Sequence, residues 1–278
     1  MISFLNCDGL LVILKPQIYK KLRITFLGTG TSQGVPVIAC NCDVCQSKDS
    51  RDKRLRSSVM VEVSGKTLVI DTGPDFRQQM LRQNVKNLNA VLFTHGHKDH
   101  IGGLDDVRAF NYIQKRAMDV FARKEVNADV EREFSYAFTD EKYPGVPEIV
   151  LHEIYTEPFL VDDILIIPIE VRHFELLILG YRINDFVYIT DASKIAAEEL
   201  DKMRNARILV INGLRKKSHY SHFNLEEALQ VINNVRPQQA YITHISHQMG
   251  LQREVQAELP ENVFLAFDGL KLDFPDPF

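Results

Sequence analysis

The stretch T-H-G-H-K-D-H at residues 94–100 decides how the rest of this chain is read. It sets His95, His97, Asp99 and His100 within six residues, at the mouth of a strand expected over 90–94. On extended backbone, side chains two apart point the same way, so His95 and His97 can share one ion. Asp99 and His100 lie past a bend and can face a second. Imidazole and carboxylate donors suit zinc, manganese or iron. A merely solvated loop would have to gather three His and one Asp in so short a run without using them.

The chain around this loop has 278 residues, nine His and only four Cys, with Lys+Arg 33 against Asp+Glu 37 and a net charge of −4. Hydrophobic residues make up 45% and charged residues 25%, which excludes wholesale disorder. The charge balance shows no basic footprint of the kind a nucleic-acid binder carries, although a small phosphorylated substrate is compatible with it. Nothing approaches a membrane-spanning apolar run. The first twenty residues are interrupted by Asn6 and Asp8, with no basic residue ahead of the apolar run and no small-residue cleavage site after it. A cytoplasmic protein is therefore expected, with residues 1–21 an extension of uncertain role and residues 22–278 one domain.

Apolar alternation predicts strands over 23–28, 58–63, 67–71, 164–171 and 186–190. Helices are expected over 75–82, 104–111, 123–134, 195–204, 225–235 and 251–259. The last three alternate with strands over 208–211, 240–243 and 263–267. This is an α/β chain in two sheet-and-helix halves. The G-T-G-T-S-Q-G turn at 28–34 lacks the Lys-Ser/Thr ending of a nucleotide-binding loop and is not assigned to one.

C-N-C-D-V-C at 40–45 places Cys40, Cys42 and Cys45 in a C-x-C-x2-C cluster. Four Cys in a chain this long are no disulfide framework, so metal binding is the first reading. Three thiolates need a fourth ligand to complete a structural zinc tetrahedron, and on chemistry alone Cys7 is one candidate. A redox pair is the competing reading, weakened because no C-x-x-C stands in a thioredoxin pattern.

The H-x-H-x-D-H string resembles that of the metallo-β-lactamase fold superfamily, and the likeness extends over about residues 22–274. It implies an αββα sandwich, two mixed β-sheets with helices on the outer faces, in a single domain. Asp71 in L-V-I-D-T-G-P resembles the Asp that braces the His loop from behind. His173 in V-R-H-F-E, Asp191 in F-V-Y-I-T-D-A-S and His244 in A-Y-I-T-H-I-S-H resemble the remaining ligands. The resemblance implies one metal on His95, His97, His173 and Asp191, and another on Asp99, His100, Asp191 and His244. The metals would be zinc or manganese, with iron also accepted by such sites. Two ions roughly 3.5–4 Å apart lower the pKa of a bridging water, so the implied reaction is hydrolysis by the resulting hydroxide, which Asp99 would also orient.

Within that superfamily the chain resembles the phosphonate-operon cyclic phosphodiesterase (PhnP-type) branch. The likeness lies in L-G-T-G-T-S-Q-G-V-P at 27–36, the Cys cluster, T-H-I-S-H-Q at 243–248 and F-D-G-L at 267–270. It implies that His247 completes the structural zinc site. His222, just before a helix with Asn224 and Glu227 at capping-box spacing, resembles the phosphodiesterase His that contacts phosphate and assists the leaving group. His219 competes for that role. The implied partner is a small phosphodiester, such as a cyclic ribose phosphate. Nucleic acid is not expected, and a homodimer is compatible, since dimers are common in the family. The alternatives are a tRNA 3′-processing ribonuclease, a lactonase or thioesterase, and a metal-binding module without activity. The substrate's organic portion would be read by loops such as 103–148.

Overall fold

The computed structural model describes residues 2–5, 11–14, 21–141 and 143–275. Strands β1 (Ile2–Leu5) and β2 (Leu11–Leu14) pair as an antiparallel ribbon. The rest of the N-terminal extension, including Cys7, lies outside the described residues.

Two mixed sheets face each other. The first contains β3 (Lys21–Gly28), β4 (Ser58–Val63), β5 (Lys66–Ile70), β6 (Ala90–Leu92), β7 (Met118–Ala122) and β8 (Ile149–Glu153) in sequential order. It runs antiparallel as far as β5 and parallel from β5 to β8. The second sheet holds β9 (Phe159–Val161), β10 (Ile164–His173), β11 (Leu176–Ile183), β12 (Phe186–Ile189), β13 (Lys194–Ile195), β14 (Ile208–Asn212), β15 (Gln239–Thr243) and β16 (Val263–Leu265). Its β12, β14, β15 and β16 are mutually parallel. The closing strand, β17 (Lys271–Pro275), returns to pair with β3 at the edge of the first sheet.

Alternation of side chains explains the layering. Val59, Val61, Leu68 and Ile70 of the first sheet meet Phe186, Tyr188, Ile208 and Val210 of the second in the central core. The intervening residues point outward to helices. Val187, Ile189, Leu209 and Ile211 pack under α6 (Ala197–Met203), α7 (Leu225–Val235) and α8 (Gln252–Glu258). Met60 and Val69 pack under α2 (Phe76–Gln83), α4 (Arg108–Gln114) and α5 (Lys124–Glu133). Two short helices, α1 (Asp43–Gln46) and α3 (Lys98–Ile101), belong to the Cys and His loops. This is the expected sandwich with helices outside.

Some elements differ from expectation. The helix predicted over 104–111 is a 3-10 turn, Leu104–Val107, followed by α4. Strand β7 crosses a stretch expected to be loop; M-D-V-F-A is short, and its half-buried Asp119, bonded to His152 at 2.7 Å, interrupts the apolar pattern. Strand β11 went unpredicted because L-L-I-L-G-Y-R-I is interrupted by Gly180, where an added Cβ would lie 2.3 Å from Ile189 Cδ1. The expected strand over 90–94 ends at Leu92; Phe93 N–H still donates to Phe121 O of β7, while the carbonyls of Phe93 and Thr94 accept from the second sheet.

Candidate active site

The parallel strands of both sheets end on one side of the sandwich, and the polar residues at their ends converge there, as ligand-binding groups do at strand carboxyl ends. Asp71 follows β5, His95 follows β6, Asp191 follows β12 and His244 follows β15, while His173 closes β10. Asp71, Asp191 and His244 take left-handed backbone, with φ of 64°, 57° and 54°. Each strand is thus broken abruptly at the residue that delivers a side chain to the site.

Two backbone links hold the His loop against the loop after β5: Thr72 N–H donates to His100 O at 2.7 Å, and Gly103 N–H donates to Thr72 O at 2.7 Å. The approach is so close that a Cβ on Gly73 would stand 2.0 Å from the Asp99 carbonyl oxygen, so only glycine fits. From the other sheet, Leu179 N–H donates to Thr94 O at 3.0 Å and the buried Tyr181 hydroxyl donates to Phe93 O at 2.5 Å. The loop is therefore fixed by both sheets.

Hydrogen bonds to groups that can only accept show how each imidazole is turned. His173 Nδ1 donates to the carbonyl oxygens of Asp191 and Ser221 at 2.9 and 2.8 Å, leaving the Nε2 lone pair free. His100 Nδ1 donates to Asp71 Oδ2 at 2.7 Å. The Thr94 hydroxyl donates to the Asp71 carboxylate and receives His95 Nδ1 at 3.0 Å, so Asp71 orients His95 through Thr94 and His100 directly. Carboxylate bracing of ligand imidazoles is a recurrent feature of metal sites.

Donor atoms come together around Asp191. Its Oδ2 is 3.3 Å from both His100 Nε2 and His244 Nδ1, and its Oδ1 accepts from His222 Nε2 at 3.0 Å. Asp99 Oδ2 lies 3.2 Å from His100 Nε2, and His95 Nε2 lies 3.0 Å from His97 Nδ1. The close donor groups are His95–His97–His173, His95–His100–Asp191 and His173–Asp191–His222. They overlap more than the two four-ligand sets expected from sequence, with His95 touching both halves. His97 is exposed, leaving one side of the site open. His219 stands one layer behind, its ring centroid 5.2 Å from that of His222.

The donor chemistry suits divalent cations. Burial pushes His95 well below the ordinary imidazole range and His244 down to about 4, so both are lone-pair donors at neutral pH. Burial would raise the Asp191 carboxyl, but His244, His100 and the His222 hydrogen bond outweigh it and hold it well below the usual range. Asp99 is likewise held low, chiefly by His100 against burial. At Asp71 burial prevails and lifts the carboxyl, against the pull of His100 and Thr94. His100 goes the other way: burial favours the neutral ring, yet Asp191, Asp71 and Asp99 together lift it well above 6.5. Positive charge is thus demanded at this point, where the buried Nε2 faces the Asp99 and Asp191 carboxylates at 3.2 and 3.3 Å without an aligned hydrogen bond to either. A divalent cation would meet both conditions.

The second cluster is separate. His247 Nδ1 is 3.3, 3.4 and 3.6 Å from the Sγ atoms of Cys40, Cys42 and Cys45. A zinc tetrahedron with metal–S of about 2.3 Å and metal–N of about 2.0 Å has N···S edges of roughly 3.5 Å, so the four donors fit one. The Cys45 amide draws the Cys42 thiol down to about 6, which favours thiolate, while burial lifts Cys45 to about 11. The loop is pinned by Lys53 Nζ on Cys45 O at 2.9 Å.

Sequence reading passed over several residues that shape the site. Asn212 is fully buried and bonds the Ala192 backbone twice, at 2.8 and 2.9 Å, holding the turn that carries Asp191. Its signal was an apolar strand ending in one polar residue, I-L-V-I-N, a pattern shared by the ends that carry Asp71, Asp191 and His244. Thr190 donates to Asp191 Oδ2 at 2.6 Å, and Thr94 acts as described; each is a Thr directly preceding a site residue.

The family model of the Beta-lactamase superfamily domain matches residues 66–245. A crystal structure of a new diphosphatase from the PhnP family superposes with a TM-score of 0.87 at 38% identity, covering 92% of this chain and 98% of that one. The short form of human tRNase Z superposes at 0.69 with 18% identity, over 91% of this chain and 99% of that one, a likeness of fold alone. In sequence, the chain is 40% identical over 253 residues to the octanoyltransferase of Porphyromonas gingivalis, covering 90% of this chain and 51% of that protein. The chain therefore spans about half the length of that relative.

Proposed function

We propose a function from a plain premise: the chain belongs to the beta-lactamase superfamily, stands with its PhnP branch, and is a metallo-β-lactamase-fold hydrolase. The bond it cleaves is a P–O bond of a small phosphodiester, with a cyclic ribose phosphate as the substrate class. The carrying observation is His222, whose Nε2 lies 3.0 Å from Asp191 Oδ1 inside the donor cluster. A thioester expels a stable thiolate and gives that residue little to do, whereas a phosphodiester expels an alkoxide that must be protonated. A lactone expels an alkoxide too, and the likeness to the PhnP-family diphosphatase is what favours phosphorus over it. The 38% identity with the PhnP-family diphosphatase supports the same phosphorus chemistry.

One ion would be held by His95, His97, His173 and Asp191 and another by Asp99, His100, His244 and Asp191. Bound there, such ions would polarise the phosphoryl oxygens and acidify the attacking water. In the balanced reaction a water oxygen bonds to phosphorus, the bond to the leaving oxygen breaks, and that oxygen takes up a proton. His222 holds this proton at Nε2, and its position is set by the capping box of α7, where Asn224 and Glu227 bond each other's backbone amides at 2.8 Å. General-acid help of this kind is worth about 10²–10⁴-fold. Asp71 keeps His100 and His95 turned inward. Cys40, Cys42, Cys45 and His247 would hold a structural zinc, fixing the first loop beside the site. No helix among the described residues is long and apolar enough to cross a membrane. A cytoplasmic enzyme acting on a small diester, compatible with a homodimer, completes the proposal.

A second reading, acyl hydrolysis, is favoured by the 40% identity with the octanoyltransferase, although its named activity can reside in the half this chain does not match. The test is turnover by protein supplied with zinc or manganese, using bis-p-nitrophenyl phosphate, an octanoyl thioester and a lactone. The phosphodiester is expected to be cleaved. Turnover of the thioester alone replaces this reading with the second, and turnover of none favours a metal-binding module.

A further inference from the structure

The turn between β10 and β11 carries a residue that folding does not explain. His173 pairs with Leu176, so Phe174 and Glu175 form a two-residue hairpin turn. Phe174 has φ of 55°, a left-handed conformation that such turns normally give to Gly or Asn. A bulky ring is kept there in an unfavourable backbone, yet it is 55% exposed and gains little from burial. Strain retained at an exposed position beside an active site points to use by a ligand.

A second ring meets it from another element. Tyr220, in the loop before α7, is 74% exposed, and its ring stands at 88° to Phe174 with centroids 5.4 Å apart. Behind Tyr220, His219 stacks at 4.7 Å. His219 lies 5.2 Å from His222, which lies 4.7 Å from His173, the chain neighbour of Phe174. The five rings close a circuit whose inner members line the donor cluster and whose outer members face solvent. Both outer residues are anchored. Phe174 N–H donates to Ser193 Oγ at 3.0 Å, and the loop leading to Tyr220 is held by Arg215 Nη2 donating to Ser218 O at 2.8 Å.

We propose that Phe174 and Tyr220 form a preorganised corner that stacks a flat heterocyclic base, so that the substrate is a nucleotide-derived phosphoester with its phosphorus at the metal cluster. A planar ring laid on one member of the corner meets the edge of the other, the arrangement aromatic groups prefer. Stacking of this kind accepts any base, because each has a π-face. The inference rests on the phosphoester reading and narrows its substrate class from small diesters to those that carry a base.

The test compares the p-nitrophenyl ester of thymidine 5′-monophosphate with methyl p-nitrophenyl phosphate, which share a leaving group. Calorimetry of adenosine 5′-monophosphate against ribose 5-phosphate supplies a readout independent of turnover. The metal-replete wild-type protein is expected to favour the nucleoside compound about tenfold or more in both measurements. Tyr220→Ala and Phe174→Asn should abolish most of that preference through KM rather than kcat, and Tyr220→Phe should retain it. Equal treatment of both members of each pair by wild type overturns the proposal, as does a preference that survives Tyr220→Ala and Phe174→Asn. If neither ester is cleaved but the calorimetric preference is present and lost in Tyr220→Ala, the corner stands and the phosphoester reading is what fails. If these variants instead reduce cleavage of an octanoyl ester while nucleotides bind indifferently, the corner holds an acyl chain and the base subsite is overturned.

Discussion

The two clusters of metal-type donors are built on opposite plans. Cys40, Cys42 and Cys45 come from six consecutive residues of one loop and meet a single His247 at nearly equal distances. The histidine–aspartate cluster is assembled from the ends of β6, β10, β12 and β15, residues far apart in sequence, and remains open at His97. A structural site saturates its ion with protein donors, whereas a catalytic one keeps a place for water or substrate. On that criterion the local, closed set is suited to holding a loop, and the dispersed, open set, positioned by two sheets, is suited to chemistry.

The sharpest way to break this contrast is at His222. If it delivers a proton, His222→Ala should lower kcat for a phosphodiester with a poor leaving group by about 10²–10⁴-fold while the melting temperature stays near wild type. An unchanged kcat would remove it from the reaction. Next comes the bracing carboxylate. Asp71→Asn should weaken active-site metal affinity or activity by about 10–100-fold, read by metal titration alongside kcat, and leave the metal content of the cysteine site intact. The smallest expected effect on chemistry belongs to the other cluster. Cys42→Ser should cost one bound zinc by elemental analysis and lower the melting temperature by roughly 5–15 °C, corresponding to about 2–4 kcal/mol, with turnover largely kept below the transition. A Cys42→Ser protein that melts normally but loses activity would reverse the roles of the two clusters.

Much of this was legible in the chain because strand ends announce themselves. An apolar run that stops at one Asp or His is visible without a structure, but Asp71, Asp191 and His244 are singled out among such ends by their resemblance to the superfamily's motifs. His95, His97, Asp99 and His100 were legible by density alone. What stayed hidden depended on distance in sequence. Tyr181 reaching Phe93 O, or Asn212 clasping Ala192, connects residues whose proximity only the sheet order creates. The overlap of donor groups around His95 was equally unreadable, since spacing tells which residues share a loop but not which rings meet across one. Strand β7 failed for a plainer reason: five residues, one of them a half-buried Asp, carry too little alternation to register.

The left-handed breaks at Asp71, Asp191 and His244 carry an evolutionary consequence. Among residues with a side chain, Asn, Asp and His are the ones that tolerate this conformation best. Asp and His are also the hard and borderline donors that bind divalent metals. The residues a strand end accepts cheaply are thus nearly the residues a metal requires, so a ligand can be gained there by one substitution without rebuilding the backbone. Asn184 and Asp162, at φ of 55° and 53°, already occupy such breaks elsewhere in this chain. On this scaffold, new coordination chemistry is a short mutational step away wherever a strand turns left.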